Sequence, residues 1–587
     1  MSNTKIENRI VTHIFKNLLI IQIMAIIAAT LGSMVDGIVI GNFLGTNAMA
    51  AFGIVSPLII IQAAVSGVFS SGAQTLCGKF MGRGNAGAVN RVFSITCLAL
   101  VALGAVLTVL CMVFGEPLVV LLGAQGETLP LAKAFLVGLA LGIVPNVLTS
   151  TLSSFMQLDS DAPRAFFAIL TMTITNIILD LLNVFVFQGG MLGMALATSA
   201  SYCVSLLILV LHFFKPSATI RLVVKGLRPG ELSGLLVVGL PSAVSRVCTM
   251  LRTVILNRLL LFLAGDVAVA ALAVQNSLGS LIGAVSIGIG MTTLLVVSVV
   301  MGEEDRKSVC GLMSYAIKWG IVISAALAVV VIAFAGPLAA AFGSENTEQL
   351  QLATRALRFF ALSIPFNTVC VIFMSFFQSA ENHRMANLVC VLDNVLYMVL
   401  LALALSPVFG TDGVWMSFLL AELLCLLTIW LIAWRHSHRL PRRIDDFLLL
   451  PSGFGVPAKD RLDITVQNMS EVVRLSEESW VFCEAHGIEA RRTYYVSLCI
   501  EEMAGNIVQY GFQDRKRHTI DIRLAYKEGS LLLHIRDDCK PFNPGAVQAV
   551  FNPEDPCANI GIRLVSQLAQ RMEYQSTLNT NNLRMVI

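Results

Sequence analysis

The sequence predicts an all-α polytopic membrane protein, twelve helices in two six-helix lobes, followed by a small cytoplasmic α+β sandwich domain. Three observations predict it. Of 587 residues, 56% are hydrophobic and only 13% charged, where an ordinary globular chain carries about 25% charged residues. The deficit is uneven: the 127 positions from Arg461 onward hold 30 of the 77 charged residues, and the first 460 hold the other 47. The oily part also repeats itself at a constant offset of 220 residues.

A hydrocarbon core about 30 Å thick needs roughly 20 helical residues to cross it. Apolar runs of that length occur at 15–40, 48–78, 89–115, 130–157, 165–188 and 191–214, and again at 232–262, 268–301, 309–335, 350–378, 386–406 and 411–434. Buried helices of a large soluble protein would carry charged solvent faces, which these runs lack. Lys5, Arg9 and Lys16 precede the first run in the manner of a signal peptide. No small-residue cleavage site ends that run, so it reads as an uncleaved membrane helix.

Loop charges set the orientation. Basic residues cluster in the second connection (Lys79, Arg83, Arg91), the sixth (Lys215, Arg221, Lys225, Arg228), the eighth (Arg306, Lys307) and the tenth (Arg384). They return after the last run at Arg435, Arg439, Arg442 and Arg443, while the connections near Thr46, Gly189, Asp266 and Asp412 carry almost none. By the positive-inside rule both termini are cytoplasmic, in a multi-pass protein of the cell (inner) membrane.

The repeat brings Gly45 onto Gly265, Ala48 onto Ala268, Met81-Gly82 onto Met301-Gly302, and Pro117-Leu118 onto Pro337-Leu338. It also brings Gly123 onto Gly343, Pro145 onto Pro365, and Gly193 onto Gly413. Six helices per half make it a parallel repeat, whose substrate and ion sites lie near the membrane midplane and whose work is alternating access. The boundaries are 1–225 for the first lobe, 226–440 for the second, 441–460 for a linker and 461–587 for the soluble domain.

Several functions are excluded. A net charge of +3 is too weak to argue for a nucleic-acid partner. The thirteen cysteines form no C-x-x-C pair and the eight histidines no H-E-x-x-H, which disfavours a disulfide framework or a zinc site. Without a G-x-x-x-x-G-K-[ST] run, a primary ATP-driven pump of that type is disfavoured.

The few charges inside the apolar runs carry the chemistry, because a charge at the bilayer centre costs at least ~2.5–3.5 kcal/mol. Asp36 lies in the first run; Asn176 and Asp180 share one helix face in the fifth, with Asn183 beyond; Thr198 lies in the sixth. Such an oxygen-rich shell suits Na⁺, and a close carboxylate pair could instead carry H⁺. The second half offers Arg246, Arg252, Asn257 and Arg258, then Gln275 and Asn276, then Asp393, Asn394 and Glu422. These read as structural ion pairs or as substrate contacts. Pro57, Pro145, Pro241 and Pro365 should kink their spans. Twenty-two methionines fit adaptable packing against varied ligands, and ordinary membrane core equally well.

The stretch VDGIVIGNFLGTNAMAAFGIVSP at 35–57 and the turn GKFMGRGN at 78–85 resemble the multidrug and toxic compound extrusion (MATE) family. The resemblance covers residues 10–435. It implies a V-shaped pair of lobes that exports bulky, often cationic, amphipathic compounds against an inward Na⁺ or H⁺ gradient. It also implies a first-lobe cation site, whose pattern Asp36, Asn176, Asp180 and Thr198 match.

Past the linker, RLDITV alternates as a strand, and 470–486 and 489–509 read as helices. A hairpin follows at HTIDIRLAYKEGSLLLHIRDD, then a helix near 560–571 and final strands. Three motifs, CIEEMAGNIVQYGF, HIRDDCKPFNP and NIGIRLVSQLAQ, occur in an order that resembles the histidine-kinase-like ATPase superfamily, most closely its anti-sigma-factor serine kinases. The resemblance implies ATP and Mg²⁺, with Asn506 holding the metal, Glu502 serving as catalytic base, Asp537 bonding adenine, and Asn559 and Gly561 near the phosphates. Cys539 and Asn559 stand where glycines are expected, which favours binding over fast hydrolysis. Such a domain regulates export, in concert with a cytoplasmic protein partner. Two other readings remain: a tethered serine/threonine kinase that uses the transporter half as a sensor, and a flippase for lipids or cell-wall precursors.

Overall fold

A computed structural model describes residues 9–215, 218–223, 225–341, 347–513, 518–544 and 560–587. The first lobe runs through α1 (Arg9–Val39), α2 (Thr46–Gly82), α3 (Ala86–Val113), α4 (Gly115–Leu121), α5 (Thr128–Leu141), α6 (Ile143–Leu158), α7 (Ala162–Leu182) and α8 (Gly190–Phe213). The second comprises α9 (Pro229–Gly302), α10 (Arg306–Ala340), α11 (Thr347–Ser379), α12 (His383–Val391), α13 (Tyr397–Phe409) and α14 (Thr411–Ser437). Among the described residues ten helices are long and apolar enough to cross a membrane, eleven if α5 and α6, bent by 48°, count as one span. The chain is a multi-pass membrane protein.

The bend falls at Gly142, with Pro145 in the first turn of α6, where a missing N–H costs least. Its repeat mate Pro365 stays inside the continuous α11. α9 joins two of the apolar runs in 74 residues, and its backbone leaves the helical region at Ala264 and Gly265. Gly265 and its repeat mate Gly45 both take positive φ, 67° and 87°, which glycine adopts at little cost.

The lobes cross where α2 meets α9. A Cβ on Gly82 would stand against the Val299 carbonyl and one on Gly302 against the Lys79 carbonyl. Positions 79 and 299, like 82 and 302, differ by the repeat offset, so this contact lies on the pseudo-twofold axis. Small residues there let two backbones touch, which is how membrane helices associate when lipid is as apolar as leucine. One apolar cluster, with Phe15, Phe69, Phe155, Val296, Met313 and Phe376, joins both lobes at this end. Farther along, Val39, Val55 and Phe135 pack within the first lobe, and Leu272, Leu357 and Trp415 within the second. The lobes therefore close on each other at one end and keep separate cores at the other.

The tail domain sits against the closed end. After α15 (Ile444–Phe447) come β1 (Arg461–Val466), α16 (Met469–Ala485), α17 (Ala490–Asn506), β2 (Ile520–Lys527), β3 (Ser530–Asp537), α18 (Ile560–Leu568), β4 (Arg571–Thr577) and β5 (Thr580–Val586). The antiparallel sheet has the order β1-β2-β3-β5-β4. Strand alternation sends Ile522, Leu524, Leu533, Ile535 and Leu583 onto the helices, and Arg523, Lys527, His534, Arg536 and Arg584 to the opposite face. Glu528 and Gly529 close the β2–β3 hairpin with positive φ of 51° and 81°, the geometry of a two-residue turn.

Candidate functional site

Asp180, near the C-terminal end of α7, is fully buried, and Asn176, one turn earlier, donates from Nδ2 to Asp180 Oδ2 at 3.0 Å. Asp36, near the end of α1, brings its carboxyl within hydrogen-bonding reach of both. Asp36 Oδ1 and Asp180 Oδ1 are buried without a partner. Two facing carboxyl groups with orphaned oxygens need a proton or a cation between them, since two ionised carboxylates in contact repel. The first three residues expected at this site are thus together. Thr198 spends its hydroxyl on the Met194 carbonyl of its own helix at 3.1 Å and is not bonded to the carboxylates. Tyr202, one turn further on the same face of α8, is within electrostatic range of Asp36, a neighbour that the sequence reading missed.

π-helical turns follow both acidic helices, at Ile40–Leu44 and Asn183–Phe187. Asn183 does not join the site: its Nδ2 donates to Gly190 O at 3.0 Å and its Oδ1 accepts from Gly189 N–H at 3.1 Å, tying α7 to α8.

A second polar cluster lies in the other lobe. Arg252 of α9 faces Asp393, in the π turn Leu392–Leu396, and Glu422 of α14. Asn367 of α11 donates to Glu422 Oε1 at 2.9 Å, while Asp393 Oδ1 and Glu422 Oε2 are buried and unpartnered. By the 220-residue offset Arg252, Asp393 and Glu422 correspond to Gly32, Thr173 and Tyr202, and a Cβ on Gly32 would stand 3.2 Å from the Thr173 methyl. The two lobes thus use the same places differently. Where the first has small and neutral groups beside its carboxylates, the second carries a resident guanidinium.

In the tail, Glu502 and Asn506 are half-buried on α17, and Asn506 gives way to a π turn, Ile507–Gly511. The Glu502 carboxylate packs directly on Gly561, so a side chain there would have to push it aside. Asp537, at the inner end of β3, is 4% exposed; it accepts hydrogen bonds from Asn581 Nδ2 at 2.8 Å and Cys539 N–H at 2.9 Å, and burial pushes its carboxyl above the usual range. The Cys539 thiol fills space against Gly511, where a glycine was expected. A carboxylate at a strand end, an amide and acid one helical turn apart, and a bare glycine at a helix start fit a nucleotide and its metal. Asn559 lies outside the described residues.

The MatE family profile matches residues 22–182 and 241–403, and a histidine kinase-like ATPase domain profile matches 465–587. Multidrug export protein MepA of Staphylococcus aureus is 24% identical over 421 residues, 70% of this chain and 92% of that protein. MepA of Staphylococcus saprophyticus is 24% identical over 439 residues, covering 73% and 95%. Among solved structures, an outward-facing multidrug resistance MATE family transporter of the MOP superfamily aligns with TM-score 0.68 at 22% identity, over 71% of this chain and 93% of its own. A MATE transporter in complex with MaL6 aligns with TM-score 0.68 at 21% identity, over 71% and 94%.

Proposed function

The chain belongs to the MatE family, and from that membership we propose that it is a cation-coupled antiporter. It exports amphipathic, often cationic compounds across the cell membrane by alternating access. The observation that carries the coupling is the Asp36–Asn176–Asp180 cluster with its two orphaned oxygens. Na⁺ or H⁺ bound there neutralises the pair. It shifts the lobes only by as much as its affinity differs between their two arrangements. Thr198 and Tyr202 of α8 offer further oxygens on the side of the cluster that Tyr202 shares with Asp36.

We count α5 and α6 as one span and divide α9 at Gly265, a reading of twelve spans that keeps both termini on one side, and the basic loops favour the cytoplasmic side. The closed end is then the cytoplasmic end, and the arrangement faces outward. The tail binds ATP rather than powering export: Asn506 holds Mg²⁺, Asp537 receives the adenine amine, Gly561 and Asn559 border the phosphates, and Glu502 is placed as base. Bound ATP supplies a transferable phosphoryl group, which a cytoplasmic partner protein could accept.

The test uses the full chain in proteoliposomes loaded with a cationic dye. Efflux should follow an imposed Na⁺ or H⁺ gradient, and ATP without a gradient should drive none. Efflux that requires ATP and ignores both gradients would overturn the reading. So would an absence of any transport beside phosphorylation of a partner protein, which is what a kinase with a sensor half would show.

A further inference from the structure

Two turns related by the repeat meet the tail, one from each lobe. Arg83-Gly84-Asn85 follows α2 and Glu303-Glu304-Asp305 follows α9. They are built alike: Asn85 and Asp305 each accept a backbone N–H, from Ala88 and Ser308, at 3.0 Å and cap the next helix. Their charges differ, and the sheet's outer face reads the difference. Arg536 pairs with Glu303, Lys527 with Glu304 at 2.7 Å and Arg523 with Asp305 at 2.5 Å. Arg536, Glu303 and Asp305 are 6%, 9% and 3% exposed, so these groups are buried, while the Lys527–Glu304 pair lies at the more open edge, beside a cavity that Arg523 and Arg584 also line. On the first-lobe side Arg584 Nη1 donates to Gly82 O at 2.7 Å, and Glu573 packs on Gly84.

The β4–β5 turn reaches deeper into the first lobe. Thr577 Oγ1 and Leu578 N–H both donate to Leu158 O, at 2.9 and 3.3 Å, and Asn579 N–H donates to Ser160 Oγ at 3.0 Å. Leu578 is 5% exposed within the apolar cluster that joins the two lobes. Its φ is 54°, a left-handed conformation costly for a leucine. Such strain persists where surrounding contacts over-determine it. With Asn579 at 61°, Leu578 forms the two-residue turn between β4 and β5, and the bonds to Leu158 and Ser160 seat that turn on the first lobe.

We propose that the tail domain is a brace that holds the closed ends of both lobes together, so that export requires its release. A five-stranded hydrogen-bonded sheet cannot stretch, and it grips Leu158, Ser160 and Gly82 on one lobe and Glu303 to Asp305 on the other. When Gly82 and Gly302 part across the axis, one grip must open. Resting on the nucleotide reading above, the pocket adjoins both grips. Asp537 faces inward beside Arg536, which faces Glu303, and Asn581, bonded to Asp537, follows the Leu578–Asn579 turn by two residues. A nucleotide that draws Asp537 away from Asn581 loosens that turn, so nucleotide binding releases the brace.

The test links the tail to each lobe in the full chain with a short, reducible bifunctional thiol reagent. One cysteine pair is Ser160→Cys with Asn579→Cys, the other Glu304→Cys with Lys527→Cys. Either link alone should leave most efflux intact. Both links together should lower it at least ~tenfold, with recovery on reduction, as expected when one conformational state is locked. Pairs that do not link, a single link that stops efflux as fully as two, or two links without effect would overturn the brace. Mg-ATP should slow linking of the 160–579 pair, and Asp537→Ala should abolish that slowing. If ATP binds yet the rate is unchanged, release by nucleotide is wrong. If ATP does not bind, measured separately by calorimetry, the nucleotide reading fails while the two-link result still decides the brace.

Discussion

Replacing Asp305 by Asn tests the tail junction at its most buried acid. Burial alone would push this carboxyl up; the Arg523 guanidinium at 2.5 Å, with the Ser308 hydroxyl and N–H, instead holds it at about 2 against the usual 3.8. A shift of that size corresponds to about 2 kcal/mol. Because the carboxyl is depressed, this contribution is fully present above pH ~4 and lost as pH falls through the folded value, so it is all available at pH 7. Asn keeps the cap on Ser308 N–H and removes only the charge. Asp463, 2.7 Å from Arg523, keeps the guanidinium paired, so the cost stays below the ~3–5 kcal/mol of an orphaned buried charge. Because the Ser308 contribution lies within the lobe and survives undocking, docking should weaken by up to about 2 kcal/mol, a factor of at most roughly thirty. Energy transfer between fluorophores on the tail and on the first lobe reads the docked fraction. A variant that docks within about twofold of the wild type would refute the reasoning, since so small a change is under ~0.5 kcal/mol.

Other outcomes follow from the same geometry. Burial, with Arg536, Arg584 and Arg523 nearby, holds the His534 imidazole well below its usual range, so an undocked tail binds a proton that the docked one refuses and docking loosens below pH ~6.5. Asp521, pushed up to about 6 by burial, opposes this; Asp521→Asn should expose a loss of about tenfold per pH unit below 6.5, and a flat response from pH 7 to 5 would contradict it. A Cβ at Gly193 would overlap the Asn183 side chain that ties α7 to α8, so Gly193→Ala should cost about 1–3 kcal/mol, read as a lower unfolding temperature; an unchanged one would count against that tie. Asn506→Ala and Asp537→Ala should each abolish ATP binding by calorimetry, and Gly561→Ala should weaken it by displacing the Glu502 carboxylate; tight binding by all three would place the nucleotide elsewhere.

Much of the fold was legible because length and period are local signals. The apolar runs, the repeat and the tail's strand alternation each follow from neighbouring residues. The run of α9 through Gly265 was not, since the sequence offers a glycine and an aspartate there that read equally as a connection. Asn176 and Asp180 were legible together through their helical spacing, and Asp36 through the cost of a membrane charge. Thr198 failed to join them because a hydroxyl on a helix readily bonds its own preceding carbonyl. The second-lobe cluster draws on α9, α11, the π turn Leu392–Leu396 and α14, and only the repeat offset, applied to Arg252, Asp393 and Glu422, could have hinted that they meet. The brace was half visible: the acidic turn at 303–305 against Arg83-Gly84-Asn85 is plain in the sequence, but its arginine partners lie more than 200 positions away.

The central claim is that ions bound between Asp36 and Asp180 drive export, and efflux from proteoliposomes with Asp36→Asn tests it most directly. Under an imposed Na⁺ or H⁺ gradient the wild type should expel dye while Asp36→Asn falls to the rate seen with no gradient, although it binds the dye and remains folded. Undiminished gradient-driven efflux in that variant would contradict the account.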